Sequence, residues 1–330
     1  MPRAASFLPL LRAFAPVLSL GAAILVFWAI APDRPLTAMD ARTIMLQTVI
    51  VALVGLGMTL VLVSGGIDLS VGSSVALCAV AAALVMKADF GAAAASTWQP
   101  ALAALAAVAA GAACGLYNGG LIALLRLPSF IVTLGTLGFF RGVAKWISGS
   151  SPVYARDSWL REWVRPIPEP SWLLVAPSVW MMLLLAGGFA LWLRRTVAGR
   201  QAVATGSNLE AARRAGIRVP RVNVIVYSVC GALVGLAGVV QFARLGGSGD
   251  PTVQVGLELK AVAAVVIGGA SLSGGTASVA GTLCGALLMA LLDNRCTALG
   301  WPNYVQELVV GHIIILAVAI DRGRSGRSAP

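Results

Sequence analysis

Few side chains in this sequence of 330 residues can do chemistry. Asp68 stands between two charge-free apolar runs, 43–67 and 69–86. A carboxylate inside such a run is costly unless it is bonded or working. Two readings stand side by side: Asp68 caps the helix that follows, or it is a polar lining of a pathway. Arg141 and Lys145 lie one helical turn apart. Lys145 is expected to snorkel to an interface, whereas Arg141, between Phe140 and Gly142, lies deeper. Thr133 is eight residues before Arg141 and shares its face, with Thr136 between them. Threonines so placed often bond their own backbone. Asn118 is an isolated amide, and His312 stands alone on an apolar segment and is expected to pack. No His, Cys or carboxylate set gathers as an enzyme site requires. No GxxxxGK[ST] occurs, because the three lysines (87, 145 and 260) follow Leu, Ala or Met rather than Gly. The chemistry on offer is hydrogen bonding to a polar solute. Neither metal nor cofactor is expected in the chain, and any ATP with magnesium would be held by a partner.

The longest polar stretches are about 148–171 and 194–221, neither long enough for a separate soluble domain. The latter is strongly basic. Within it Ser207 or Asn208 is an expected N-cap, Leu209–Ala215 a short helix, and Gly216 the residue that ends it. A short capped helix on a basic loop suits docking to a partner. Its small face of Ala211, Ala212 and Ala215 favours that over binding of lipid headgroups by the arginines, the alternative.

The elements that hold these residues follow from composition. Hydrophobic residues make up 58% and charged residues 11%, against about 25% charged in soluble domains. A soluble exterior cannot hide that much apolar surface. The fold class expected is all-α: one polytopic membrane domain over 1–330. About ten spans are expected, near 13–31, 44–63, 69–86, 101–120, 128–147, 172–193, 222–243, 257–270, 276–292 and 304–320, some of them short helices interrupted by glycine. The first is expected to be a retained helix rather than a signal peptide, because its run is long and Pro32 would follow the cut.

With ten spans both termini lie on one side. That side takes 13 of the 24 basic residues but only Asp68, Glu210 and Asp321 among the 13 acids, so it is expected to be cytoplasmic. The net charge of +11 then reflects membrane topology and implies no nucleic-acid partner. Of the five cysteines, four sit in apolar runs and none forms a CxxC, which suits buried thiols. Gly111, Gly115 and Gly119 form a ladder at spacing four, repeated at 138–142, 231–235 and 281–285. Such ladders let helices approach closely, within one bundle or between subunits. Gly65-Gly66-Ile67-Asp68-Leu69-Ser70-Val71-Gly72 matches Gly268-Gly269-Ala270-Ser271-Leu272-Ser273-Gly274-Gly275 at five of eight positions, which suggests a repeat in which the first four spans correspond to the last four.

Three blocks carry a resemblance. Gly65 through Ser73, Ala263 through Gly275, and Pro128-Ser129-Phe130-Ile131-Val132-Thr133-Leu134-Gly135-Thr136 with Arg141-Gly142 resemble the permease subunits of bacterial ABC importers for ribose and related monosaccharides, over about Thr43 to Asp321. The loop resembles that family's coupling loop at Gly206, Asn208, Ala211, Ala212, Gly216 and Ile217, with Glu210 in its first turn; Ala215 stands where the family usually has Ser. The resemblance implies a second permease copy, identical or paralogous, a cytoplasmic ABC ATPase, a periplasmic sugar-binding protein, and an inner-membrane location among lipid. Asp68, Asn118, Thr133, Thr136 and Arg141 are then candidates for the sugar pathway or its gates. The alternatives are an importer permease for branched-chain amino acids, against which the block at Asp68 argues, an ion-coupled secondary transporter, which would want more intramembrane acids, and a membrane enzyme.

Overall fold

The structure is a computed structural model that describes residues 7–91 and 97–325. Twelve α-helices occur among these residues. They are α1 Phe7–Ile30, α2 Ala38–Val63, α3 Val71–Lys87, α4 Gln99–Leu125, α5 Ser129–Ser148 and α6 Pro177–Arg195. Then come α7 Val197–Ser207, α8 Leu209–Arg214, α9 Val219–Arg244, α10 Leu257–Ile267, α11 Val279–Ala298 and α12 Asn303–Ser325. Each of the ten expected spans falls on one of these. Six helices (α2, α4, α5, α6, α9 and α11) are long and apolar enough to cross a membrane, and shorter apolar stretches lie in α1, α3 and α12. The chain is a polytopic all-α membrane protein.

Boundaries moved where charge or capping decides. The expected span at 44 starts instead at Ala38, because Thr37 and Asp40 form a reciprocal capping box at the head of α2. At the other extreme, α10 has only 11 residues, about 16 Å of helix, roughly half a hydrocarbon core. The chain from Gly268 to Ser278 is not helical. In the bilayer such backbone must be covered by protein or face water.

Helix α2 is apolar on every side and is enclosed by its neighbours: Val49 to Val63 are all buried. One turn of it touches α9, where a Cβ on Gly57 would lie 2.8 Å from Cys230 Sγ. On another face Thr59 shares a 2.8 Å hydroxyl bond with Thr282 of α11. The glycine ladders sort into two kinds. Gly111, Gly115 and Gly119 of α4 meet α9 backbone to backbone; a Cβ on Gly115 would sit 2.0 Å from Tyr227 O and one on Gly111 2.3 Å from Gly231 O. Gly281 and Gly285 of α11 do the same to Gly268 and Ala264. These are contacts within the bundle. By contrast Gly138 and Gly142 of α5 face open space.

Two ends can be told apart. At one, the loop end, the termini of α2, α4 and α9 gather around α7 and α8. At the far end a short antiparallel pair, Val153–Tyr154 with Ser248–Gly249, closes over the bundle. There Gln99 donates through Nε2 to the last carbonyls of α3, Val85 and Ala88, at 2.8 Å each.

Candidate functional site

The site is built on the turn between α2 and α3. Helix α2 stops at Gly65, whose φ of +84° is left-handed. The Gly65 N–H donates to Leu62 O and the Gly66 N–H to Val61 O, both 2.9 Å, the double closure of a Schellman end. A Cβ on Gly66 would lie 2.6 Å from Tyr227 Oη, so a side chain there would push the phenol from its place. Ile67 is then held from both sides. Its N–H donates to Ser129 Oγ (3.1 Å), and its carbonyl accepts from Thr133 Oγ1 (3.2 Å) and Tyr227 Oη (3.3 Å). Three helices, α5, α9 and the end of α2, thus grip one residue.

Asp68 follows, 4% exposed. Its Oδ1 accepts from the Ser70 N–H at 2.9 Å and the Ser70 hydroxyl at 2.7 Å. It is therefore not the N-cap of α3. Ser70 occupies that position and makes no side-chain cap bond. Asp68 closes an Asx-type turn one step earlier, because bonding to the N–H two residues on is the local geometry a short carboxylate reaches. Asn118 of α4 donates through Nδ2 to Ser70 Oγ at 2.8 Å, while its own Oδ1 is buried with no hydrogen-bond partner. Asn118 lies seven residues before the end of α4, so the turn sits about 10 Å inside that helix end.

The expected pathway residues divide. Asp68, Asn118 and Thr133 come together around 67–70. Thr136, buried one turn above, donates to Thr133 O at 3.3 Å. Arg141 belongs elsewhere: its guanidinium donates to the carbonyls of Pro251 and Val253, 2.7 Å each, which fixes the far-end segment before α10. Sequence reading named Ser70 and Ser129 only within motif blocks, not as site residues, and missed Tyr227 altogether. Tyr227 had a usable signal, a phenol inside an apolar span that must find a partner. Also missed was the ion pair of Lys260 with Asp293, 2.6 Å, which ties α10 to α11.

The basic loop is more ordered than expected. A helix, α7, precedes the docking helix, capped by Thr196 Oγ1 on the Gly199 N–H (3.1 Å). Asn208 is the N-cap of α8, accepting from the Ala211 N–H at 2.9 Å, and Gly216 ends it with φ +81°. The Gly216 N–H reaches Arg213 O and the Ile217 N–H Ala212 O, both 3.0 Å. Only Ala212 of the small face is buried (4% exposed). Leu209, Glu210, Ala211 and Ala215 stay exposed, and Glu210 pairs with Arg214 at 3.3 Å.

Gly206 joins loop and turn. A Cβ there would lie 1.8 Å from Val63 O and 2.9 Å from Gly275 N, and Gly275 itself donates to Val63 O at 2.9 Å. The end of α2, the end of α7 and the 268–278 segment therefore meet through backbone alone. The two glycine segments are related, one register off the sequence match. Gly269 has φ +94° and donates to Val266 O, and Ala270 donates to Val265 O. The structural counterpart of Gly65 is Gly269, not Gly268, and Asp68 has no acidic counterpart.

Comparison with known proteins agrees with this architecture. The family described as "Branched-chain amino acid transport system / permease component" matches residues 41–318. The ribose import permease of Escherichia coli K12 is 39% identical over 288 residues, 84% of each chain. The autoinducer 2 import permease of Yersinia enterocolitica is 35% identical, covering 83% of this chain and 72% of its own. That of Photorhabdus laumondii is 34% identical, covering 88% and 85%. No solved structure matches. With nearly the whole bundle covered, the chain belongs to the permease subunits of bacterial ABC importers.

Proposed function

We propose that this chain translocates a monosaccharide, ribose-like or a related sugar, across the inner membrane. A periplasmic binding protein delivers the sugar, and a separate ATPase subunit, which holds ATP and magnesium, drives its movement. The chain works beside a second permease copy, with both termini and the loop end in the cytoplasm. The observation that carries the reading is the junction at Gly206. The ATPase would grip α8 by its exposed face, Glu210, Ala211 and Ala215, between the Asn208 and Gly216 caps. Any displacement passes through the Asn208 cap to Gly206 at the end of α7, and from there to Val63 and Gly275. That moves both interrupted segments, and with them the Asp68 turn. Asn118, Thr133 and Thr136 line or gate the passage at that depth, and Arg141 holds its far-end segment. The basic excess on the loop end supports the orientation, and the identity to the ribose permease supports the sugar class.

Uptake of labelled ribose and labelled leucine by membranes carrying the complete importer tests the reading. Sugar uptake lost in Gly206→Val, with the permease still inserted and ATPase still bound, is the expected result. Leucine uptake in place of sugar uptake would refute the substrate class.

A further inference from the structure

A cleft of about 840 Å³ opens at the loop end between the last turn of α4, the start of α5, α8 and the first turn of α9. Four arginines line it: Arg126, Arg213, Arg218 and Arg221. All four are exposed. No carboxylate lines the cleft among the described residues, and none of the four arginines has an acidic partner there. The nearest acid in sequence, Glu210, is taken by Arg214. Four like charges around one space repel unless an anion joins them. Guanidinium forks suit carboxylates and phosphates, and a phosphate can be shared among several of them.

The walls supply a second requirement. Ile122, Leu127, Ile217 and Pro220 line the same cleft, so charge and apolar surface adjoin at the level where spanning helices end. A free phosphate has no use for the apolar wall, but a phosphate carrying acyl chains does. We propose that this cleft is a binding site for the headgroup of an anionic phospholipid of the loop-end leaflet. Tyr227, which donates to the Ile67 carbonyl, and Gly66 also line it, as do Leu209 and Arg213 of the docking helix. A bound headgroup therefore bridges α8 and the polar turn, and holds the two in one arrangement.

The test uses the purified full-length chain, read by thermal unfolding, so it does not depend on which solute is carried. Detergent micelles doped with equal parts phosphatidylglycerol and phosphatidylcholine are compared with micelles doped with phosphatidylcholine alone, and with the latter plus inorganic phosphate. Phosphatidylglycerol is expected to raise Tm by roughly 5 °C near saturation. Arg126→Gln with Arg221→Gln is expected to lose most of that rise while keeping its Tm in phosphatidylcholine. The control, Arg195→Gln with Arg200→Gln, carries the same charge loss outside the cleft and keeps the rise. Should the cleft double variant not fold in phosphatidylcholine, the exposed Arg213→Gln takes its place, with a partial loss expected. Equal losses in cleft and control variants would reduce the effect to general leaflet charge and overturn the site. An equal rise with inorganic phosphate would overturn the lipid as ligand. Loss of the rise when the ATPase subunit is added would assign the cleft to the protein partner instead.

Discussion

At the scale of single residues, Asp68 does two jobs that substitutions can separate. Its Oδ1 satisfies two donors of Ser70 in a buried site, and its charge is what the proposed pathway role would use. Asp68→Asn keeps an acceptor of the same shape and should leave thermal stability near that of the parent. Asp68→Ala orphans a buried N–H and hydroxyl and should cost about 3 kcal/mol, since each unmet buried donor costs about 1–3. Denaturation of the two purified variants checks this; equal stability would show that the turn does not need the carboxylate. Sugar uptake by Asp68→Asn then reads the charge alone. The sequence made Asp68 and Asn118 visible because polar residues inside charge-free runs stand out. It hid Tyr227 and Ser129, whose importance arises from contacts 160 and 62 residues away in the chain.

At the scale of elements, helix identity was legible and helix contact was not. Apolar runs give spans wherever charge bounds them, so even α10 was anticipated, though at 257–270 rather than 257–267. Helix α7 was missed because Val197–Ser207 is neither apolar nor strongly periodic, and its signal was only the cap at Thr196. The glycine ladders looked equivalent in sequence, yet the structure divides them by what each faces. Gly115→Leu would drive a side chain into Tyr227 O of α9. Overpacking of this kind costs typically about 1–3 kcal/mol. A Cβ on Gly142 would meet nothing within 4 Å, so Gly142→Leu should be neutral for the isolated chain. Comparing Tm of the two variants in detergent at low protein concentration tests the division. A loss at Gly142 as large as at Gly115 would contradict it. The coupling route is a prediction of the same scale. Gly206→Ala places a Cβ on Val63 O and should uncouple ATP hydrolysis from uptake, lowering uptake roughly tenfold for a coupling energy near 1.4 kcal/mol. Basal ATPase activity should persist. Unchanged uptake would remove Gly206 from the route.

At the scale of the whole molecule, the open face of α5 is what the single chain leaves unexplained. Helices gain little from glycine against lipid, which fills no groove as well as another helix does. Gly135, Gly138 and Gly142 fall at helical spacing on one face, and among the described residues a Cβ built on any of them would meet nothing within 4 Å beyond its own helix backbone. Exposed Leu134 and Phe139 flank that face. If the second permease copy of the proposed function packs on this face, α5 crosses its counterpart at Gly138. The chain's own thiols favour a direct test, because Cys78, Cys114, Cys230 and Cys296 are buried and only Cys284 is partly open. In a Cys284→Ser background, Gly138→Cys should form a disulfide-linked species of twice the 33.8 kDa chain mass when membranes are mildly oxidised. Leu124→Cys, on α4 and 81% exposed, should remain monomeric under the same treatment. Equal cross-linking at both positions would indicate random collision. A monomeric Gly138→Cys would mean that this face meets lipid, and that the two copies join through another helix.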